Sequence, residues 1–249
     1  MSSDNSIDWQ IESIRFTSFM NQSLNSTYLE HWVEEVSKNS LSKVNKTPSS
    51  FTGLSSMALG VLRANWVGNR LDIVLSAEDP KKNQTILPWS ESDNLFVQVF
   101  DRVPEICEPN LFDRIAIGLV LTSQVANDMD GNRALSKMIV GVSVPETVKD
   151  FLYRVNYPCG SKTSGEIFIN RLAIWSVGHS QLFEVVINED GSQSEKLISE
   201  DPAALRLELD INTDKNTHLK IDKTNLQNLL GEFKSIIKNI CSDGEITLR

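Results

Sequence analysis

The chain has few of the residues that usually carry chemistry or covalent staples. It contains three cysteines, three histidines and 12 glycines in 249 residues. Cys107, Cys159 and Cys241 are widely separated, form no CxxC pair and are odd in number. That excludes a disulfide framework and points to reduced thiols in a cytoplasmic setting. His31, His179 and His218 have no His or Cys partner three to five residues away, so HExxH and zinc-finger ligand sets are excluded. Glycine is too thinly spread for a GxGxxG fingerprint, and "DKTN" lacks the upstream glycine of a phosphate loop. The stretches "GLSSM", "GVSVP" and "GHSQL" each lack the second glycine of a nucleophile elbow. "NDMDGN" and "NEDGSQSE" do not fit a calcium-binding loop and read as turns.

Long apolar runs are also lacking. "IAIGLVL" (Ile115 to Leu121) falls far short of the roughly 20 residues that cross a bilayer. The start "MSSDNSIDWQ" has neither the basic beginning nor the apolar core of a secretory signal, so no membrane association is expected. Positive charge is scarce: 24 Lys and Arg face 33 Asp and Glu, a net charge of −9. Coating nucleic acid through its phosphates needs the opposite balance, so direct non-specific nucleic-acid binding is not expected. The charge is unevenly placed. Glu184 to Asp222 holds ten acids and four bases, whereas "SKNSLSKVNKTPSSF" (Ser37 to Phe51) has three lysines and no acid. These read as a solvated acidic face, or one that meets a basic partner, and a flexible loop.

What is present is an ordinary globular composition, 40% hydrophobic and 23% charged, in a chain long enough to bury a large core. "DWQIESIRFTSF" reads as a first strand. "STYLEHWVEEVS" carries one apolar helical stripe, with Thr27 and Glu30 at capping-box spacing. "LSKVNKTPSSFTG" reads as a loop. The runs on either side of Gly68-Asn69 predict a hairpin, and "NLFVQVF" and "RIAIGLVLTSQV" predict strands. "ANDMDGN" breaks the chain before a short helix in "RALSKMIV". "SVPETVKDFLYRV" has Ser143, Pro145 and Glu146 placed as a helix start. "EIFINRLAIWSV" and "QLFEVVI" read as an antiparallel pair, followed through "NEDG" by an acidic loop. "LRLELDINTD" is the last strand, and "TNLQNLLGEFKSIIKNI" is an amphipathic helix capped by Thr224 and Gln227. Strands in groups with helices between them favour an α+β fold with antiparallel sheet over a doubly wound one. The order divides into halves, 1–142 and 143–249, as two similar units or one continuous domain.

Two sets of residues are candidates for binding. Arg154, Tyr157, Arg171 and Trp175 mix cations and aromatics in a way that suits stacking and hydrogen bonding to a partner, against core packing for Trp175. Asp210, Asn212 and Asp214 are spaced by two along "LRLELDINTDKNTH". On a strand, side chains two apart are about 6.5 to 7 Å from each other. Ligands lie about 2 to 2.6 Å from a calcium or magnesium ion, so a straight strand cannot gather all three on one ion. The alternation predicts that Leu205, Leu207, Leu209 and Ile211 face a helix-covered core, with the acidic end turned to solvent or a partner. No catalytic residue, metal ligand or cofactor is assigned.

The series "DFLYRVNYP", "INRLAIWSV" and "LELDINTD" before a final amphipathic helix resembles a conserved family of sporadically distributed bacterial proteins of uncharacterised function. The resemblance covers mainly Asp150 to the C-terminus. Sporadic distribution implies mobile gene islands, including anti-phage defence and toxin–antitoxin loci. The leading expectation is therefore a non-enzymatic binding or assembly component of a cytoplasmic multiprotein complex. Its partners would be proteins encoded nearby or further copies of itself. A chaperone-like holdase is the first alternative, and a metal-dependent hydrolase using Asp210 or Asp214 the second.

Overall fold

The computed structural model describes residues 7–20, 24–78, 85–106, 112–179, 181–187, 192–200, 202–215 and 221–246. The chain opens with β1 (Gln10–Met20), whose Ile14 and Phe16 are fully buried while Arg15 between them is exposed. That period of two turns one face of the strand inward and leaves the other in water. Helix α1 (Ser26–Ser37) follows, and its buried Leu29, Trp32, Val33 and Val36 form one stripe. Its cap is Asn25 rather than Thr27: the Asn25 side chain accepts hydrogen bonds from the Thr27 and Tyr28 amides. Four strands then meander: β2 (Lys43–Thr47), β3 (Ser50–Met57), β4 (Gly60–Val67) and β5 (Arg70–Ser76). The β4–β5 hairpin turns at Gly68, which takes φ +59° as expected for this turn. The stretch expected as a lysine-rich loop is the β2–β3 hairpin, since Phe51 and Ser55 are inward and buried.

A two-residue strand, β6 (Leu87–Pro88), bridges to β1. "NLFVQVF" is not a strand. It lies in and just after α2 (Ser92–Gln98), because Leu95, Phe96 and Val99 meet the core at helical spacing. Short α3 (Val103–Ile106) docks on α1, with the Trp32 indole N–H donating to the Arg102 carbonyl at 3.1 Å. The 13-residue β7 (Phe112–Gln124) is a strand as expected. "ANDMDGN" does not break the chain but starts α4 (Asp128–Met138). Asn127 caps it, and Gly131 lets it approach the sheet; a β-carbon there would stand 2.7 Å from Val177.

The helix expected from Ser143 does not form. Glu146 pairs with Arg133 instead of capping, and the carbonyls of Glu146 and Val148 accept hydrogen bonds from the buried Asn132 amide. Beyond that loop the chain is β8 (Leu152–Gly160), because Tyr153 and Val155 pack on the core while Arg154 and Asn156 are exposed. Then come β9 (Phe168–Gly178), β10 (Gln181–Ile187), β11 (Gln193–Glu200), β12 (Ala204–Thr213) and α5 (Lys223–Asp243). β9 and β10 do not pair with each other: β9 lies between β8 and β12, and β10 pairs with β11. The expected acidic loop is largely β11, and residues 188–191 lie outside the described set. Asp222, not Thr224, caps α5, and all seven apolar residues of its predicted face are buried.

The main sheet has the order β2-β3-β4-β5-β1-β7-β12-β9-β8, with β6 also on β1, and every described pair is antiparallel. The architecture is α+β, a large antiparallel sheet with helices packed around it. β1, α1 and a meander that returns beside β1 are followed by β7, α4 and strands that return beside β7. The two series meet at the β1–β7 pair, so residue 142 falls inside the second, between α4 and β8. α1 covers β3 and β4, α4 covers β9 and β12, and α5 covers β12. Leu205, Leu207, Leu209 and Ile211 are buried under that layer, as their alternation predicted. Among the described residues, no helix is long and apolar enough to cross a membrane.

Candidate functional site

The opposite face of the sheet carries polar and charged side chains among apolar ones, some of them in register. One row runs across nine strands: Lys43, Leu54, Arg63, Val74, Arg15, Gly118, Asp210, Leu172 and Asn156. In its first half, cations occupy every second strand, with Leu54 and Val74 between them. Adjacent strands are about 4.8 Å apart, so the cations are rooted about 10 Å from one another. Like charges placed directly opposite repel, and this alternation avoids that while giving the long cationic stems aliphatic neighbours.

These residues line an open hollow of about 610 Å³ over β1 to β5. Its polar floor includes Asn65, whose Oδ1 accepts the Thr52 hydroxyl at 2.8 Å, leaving the Asn65 amide N–H groups as donors. Among the described residues its single carboxylate, Asp72, is already satisfied. Arg70 donates to it through two nitrogens, at 2.7 and 2.9 Å, and the Thr17 hydroxyl donates at 2.6 Å. That pairing raises the pKa of Arg70, chiefly through its hydrogen bonds to the Asp72 carboxylate. Among the described residues, Arg15, Lys43 and Arg63 make no ion pair, and all three are exposed. Three positive charges thus stand uncompensated in a chain of net charge −9.

The expected candidates lie elsewhere on the sheet. Asp210 follows Gly118 in the same row and accepts the Asn212 amide at 2.9 Å. Asn212 is buried, and its Oδ1 accepts from Arg114 at 3.0 Å and from Asn170 at 3.1 Å. The Asp214 amide donates to the Phe168 carbonyl at 2.8 Å. Asn212 is therefore a tie between β7, β12 and β9, and Asp210 leans on it. Among the described residues, no group of three or more His, Cys, Asp or Glu is placed to hold a metal ion.

Arg154, Tyr157, Arg171 and Trp175 do not form one surface. Arg154 is exposed on the open face. Trp175 is wholly buried and stacks on Tyr153 with ring centroids 5.8 Å apart. Arg171 is buried on the helix-covered side, directly opposite Tyr157, and donates to the Ile246 carbonyl at 3.2 Å. Cys241 is likewise buried, and burial pushes its thiol pKa up, away from the reactive thiolate.

A second surface stands outside the main sheet. β10 and β11 form a separate two-stranded ribbon on which Val185, Ile187, Leu197 and Ile198 are 45–70% exposed, beside exposed Glu184 and Glu195.

No family model matches the chain, and no curated protein is similar to it in sequence. The residues missed from sequence were Arg15, Arg63 and Lys43. The available signal was that Arg15 and Arg63 each sit at an outward position between two apolar residues that are buried.

Proposed function

We propose that the protein is a non-enzymatic binding and assembly component of a bacterial cytoplasmic multiprotein complex, with anti-phage defence as its setting. The observation that carries this reading is the β10–β11 ribbon. An isolated two-stranded ribbon is marginal in water, and this one exposes four large aliphatic side chains. A partner surface that covers them supplies the missing burial, worth about 25 cal/mol per Å² of apolar area. Glu184 and Glu195 beside them select a partner with a basic rim. The resemblance of Asp150 to the C-terminus to sporadically distributed bacterial proteins supports the setting.

The test is affinity purification of the tagged protein expressed with its neighbouring genes, alongside an Ile187→Ser/Leu197→Ser variant. The expected result is a stoichiometric partner that the variant loses while its melting temperature holds. An isolated monomer that captures no neighbour, or a variant that captures it equally well, overturns the reading. The same exposed side chains favour a second reading, a holdase that covers apolar segments of unfolded clients. That reading requires suppression of client aggregation by the wild type and its loss in the same variant.

A further inference from the structure

We infer that the hollow on the open face of β1 to β5 is a binding site for an extended acidic segment of a protein partner, read by Arg15, Arg63 and Lys43. This rests on the binding-component reading but on a different surface from the ribbon. The lining is rich in donors. Two guanidinium forks, one ammonium and the Asn65 amide face a space whose only carboxylate among the described residues is consumed by Arg70 and Thr17. Such a set recognises oxygen atoms that only accept hydrogen bonds, those of carboxylates or phosphates.

The shape and the lining separate these ligands. Sites for small molecules enclose most of the ligand behind apolar walls. Here the apolar lining is Leu54 and Val74 alone, and the four cationic residues are exposed. A compact phosphate compound would stay largely in water. Single-stranded nucleic acid is held by aromatic platforms as well as by charge. Among the described residues no aromatic ring lines the hollow, so it offers no platform on which bases could stack. A segment in the extended polyproline II conformation rises about 3.1 Å per residue with three residues per turn, so carboxylates three residues apart lie on one side about 9 Å apart and match cations rooted on every second strand, about 10 Å apart. The Arg15 guanidinium sits at the β7 side of the hollow, over Gly118, with Nη2 3.3 Å from where a β-carbon would be.

The experiment is fluorescence anisotropy with a labelled deca-glutamate peptide at low salt, competed separately by tripolyphosphate and by a single-stranded oligonucleotide. The expected result is saturable binding that weakens as salt rises. Lys43→Gln should weaken it about threefold, and Arg15→Gln/Arg63→Gln about tenfold, as expected for exposed charge pairs. β2 is exposed along its whole length, so Lys43→Gln reports on binding even if the double variant folds poorly. The inference is overturned by no binding of the peptide, by equal binding to the Lys43→Gln variant, or by tighter binding of tripolyphosphate or the oligonucleotide. Because the ribbon takes no part in this assay, its outcome is independent of whether a neighbouring protein co-purifies.

Discussion

The Arg15 guanidinium rests on Gly118 of the neighbouring strand, with Nη2, Nε and Cζ 3.3, 3.5 and 3.7 Å from the position of the missing β-carbon. At the centre of the sheet, where β1 meets β7, a glycine therefore acts as the seat of a cation. Any side chain at residue 118 competes with Arg15 for that space.

Gly118→Ala asks the flexible end of Arg15 to move by a few tenths of an ångström. Gly118→Val displaces it altogether. The alanine variant is expected to melt at or slightly above the wild-type temperature, because glycine in a strand interior carries an entropic cost. The valine variant is expected to keep its fold while binding of deca-glutamate weakens about threefold, as for loss of one exposed charge pair. Thermal melts and anisotropy read the two effects separately.

Glu232 of α5 ties the helix to the loop after β8. Its carboxylate accepts the Ser161 hydroxyl at 2.6 Å, the Lys162 amide at 2.8 Å and the Thr163 hydroxyl at 3.1 Å. Burial acts to raise the Glu232 pKa, but these hydrogen bonds outweigh it and hold the carboxyl below its ordinary value of 4.5. A depressed pKa stabilises the fold at neutral pH, and that contribution is lost as pH falls below about 4.5 through the folded-state value. Glu232→Gln should be about 1 kcal/mol less stable at pH 7, allowing for the carboxylate's partial exposure. Denaturant titrations at a series of pH values should show the two proteins converging as the solution is acidified.

Gly244 ends α5 in the left-handed region at φ +63°, and its amide donates to the Ile240 carbonyl at 3.0 Å. A β-carbon there would lie 2.3 Å from the Met138 carbonyl oxygen, a backbone atom that cannot step aside. Gly244→Ala is expected to cost about 2 kcal/mol or more, from the strained φ and the clash together. Urea unfolding checks this by a lower midpoint at an unchanged slope.

Asp210 and Asp214 separate a binding protein from a metal-dependent hydrolase. Asp210→Asn keeps the shape of the side chain and one carbonyl oxygen for the Asn212 amide. If the residue is structural, Asp210→Asn and Asp214→Asn should change stability by about 0.5 kcal/mol or less and leave partner capture intact. Loss of function in both variants with normal melting would favour the hydrolase.

The sequence by itself determined the elements whose signal is local. α1, α5 and β12 follow from apolar spacing of 3.6 or 2, β1 from a partial alternation, β7 from a run of β-branched and apolar residues, and the β4–β5 hairpin from a turn glycine. It also determined that β12 buries its leucines, because alternation needs no knowledge of the neighbouring strand. Elements decided by distant partners were not legible. The stretch from Ser143 has the capping pattern of a helix, yet Asn132 and Arg133 capture its loop and β9 captures the strand beyond it. "NLFVQVF" is too short for its period to settle helix against strand, and burial of Leu95, Phe96 and Val99 settles it.

The cationic row was further out of reach. Arg15, Lys43 and Arg63 lie up to 48 residues apart in a chain whose total charge is negative. Only the strand order β2-β3-β4-β5-β1 and its register bring them into one line. Alternation tells each residue which face it takes. Pairing between distant strands, a tertiary property, tells it which residues it stands beside.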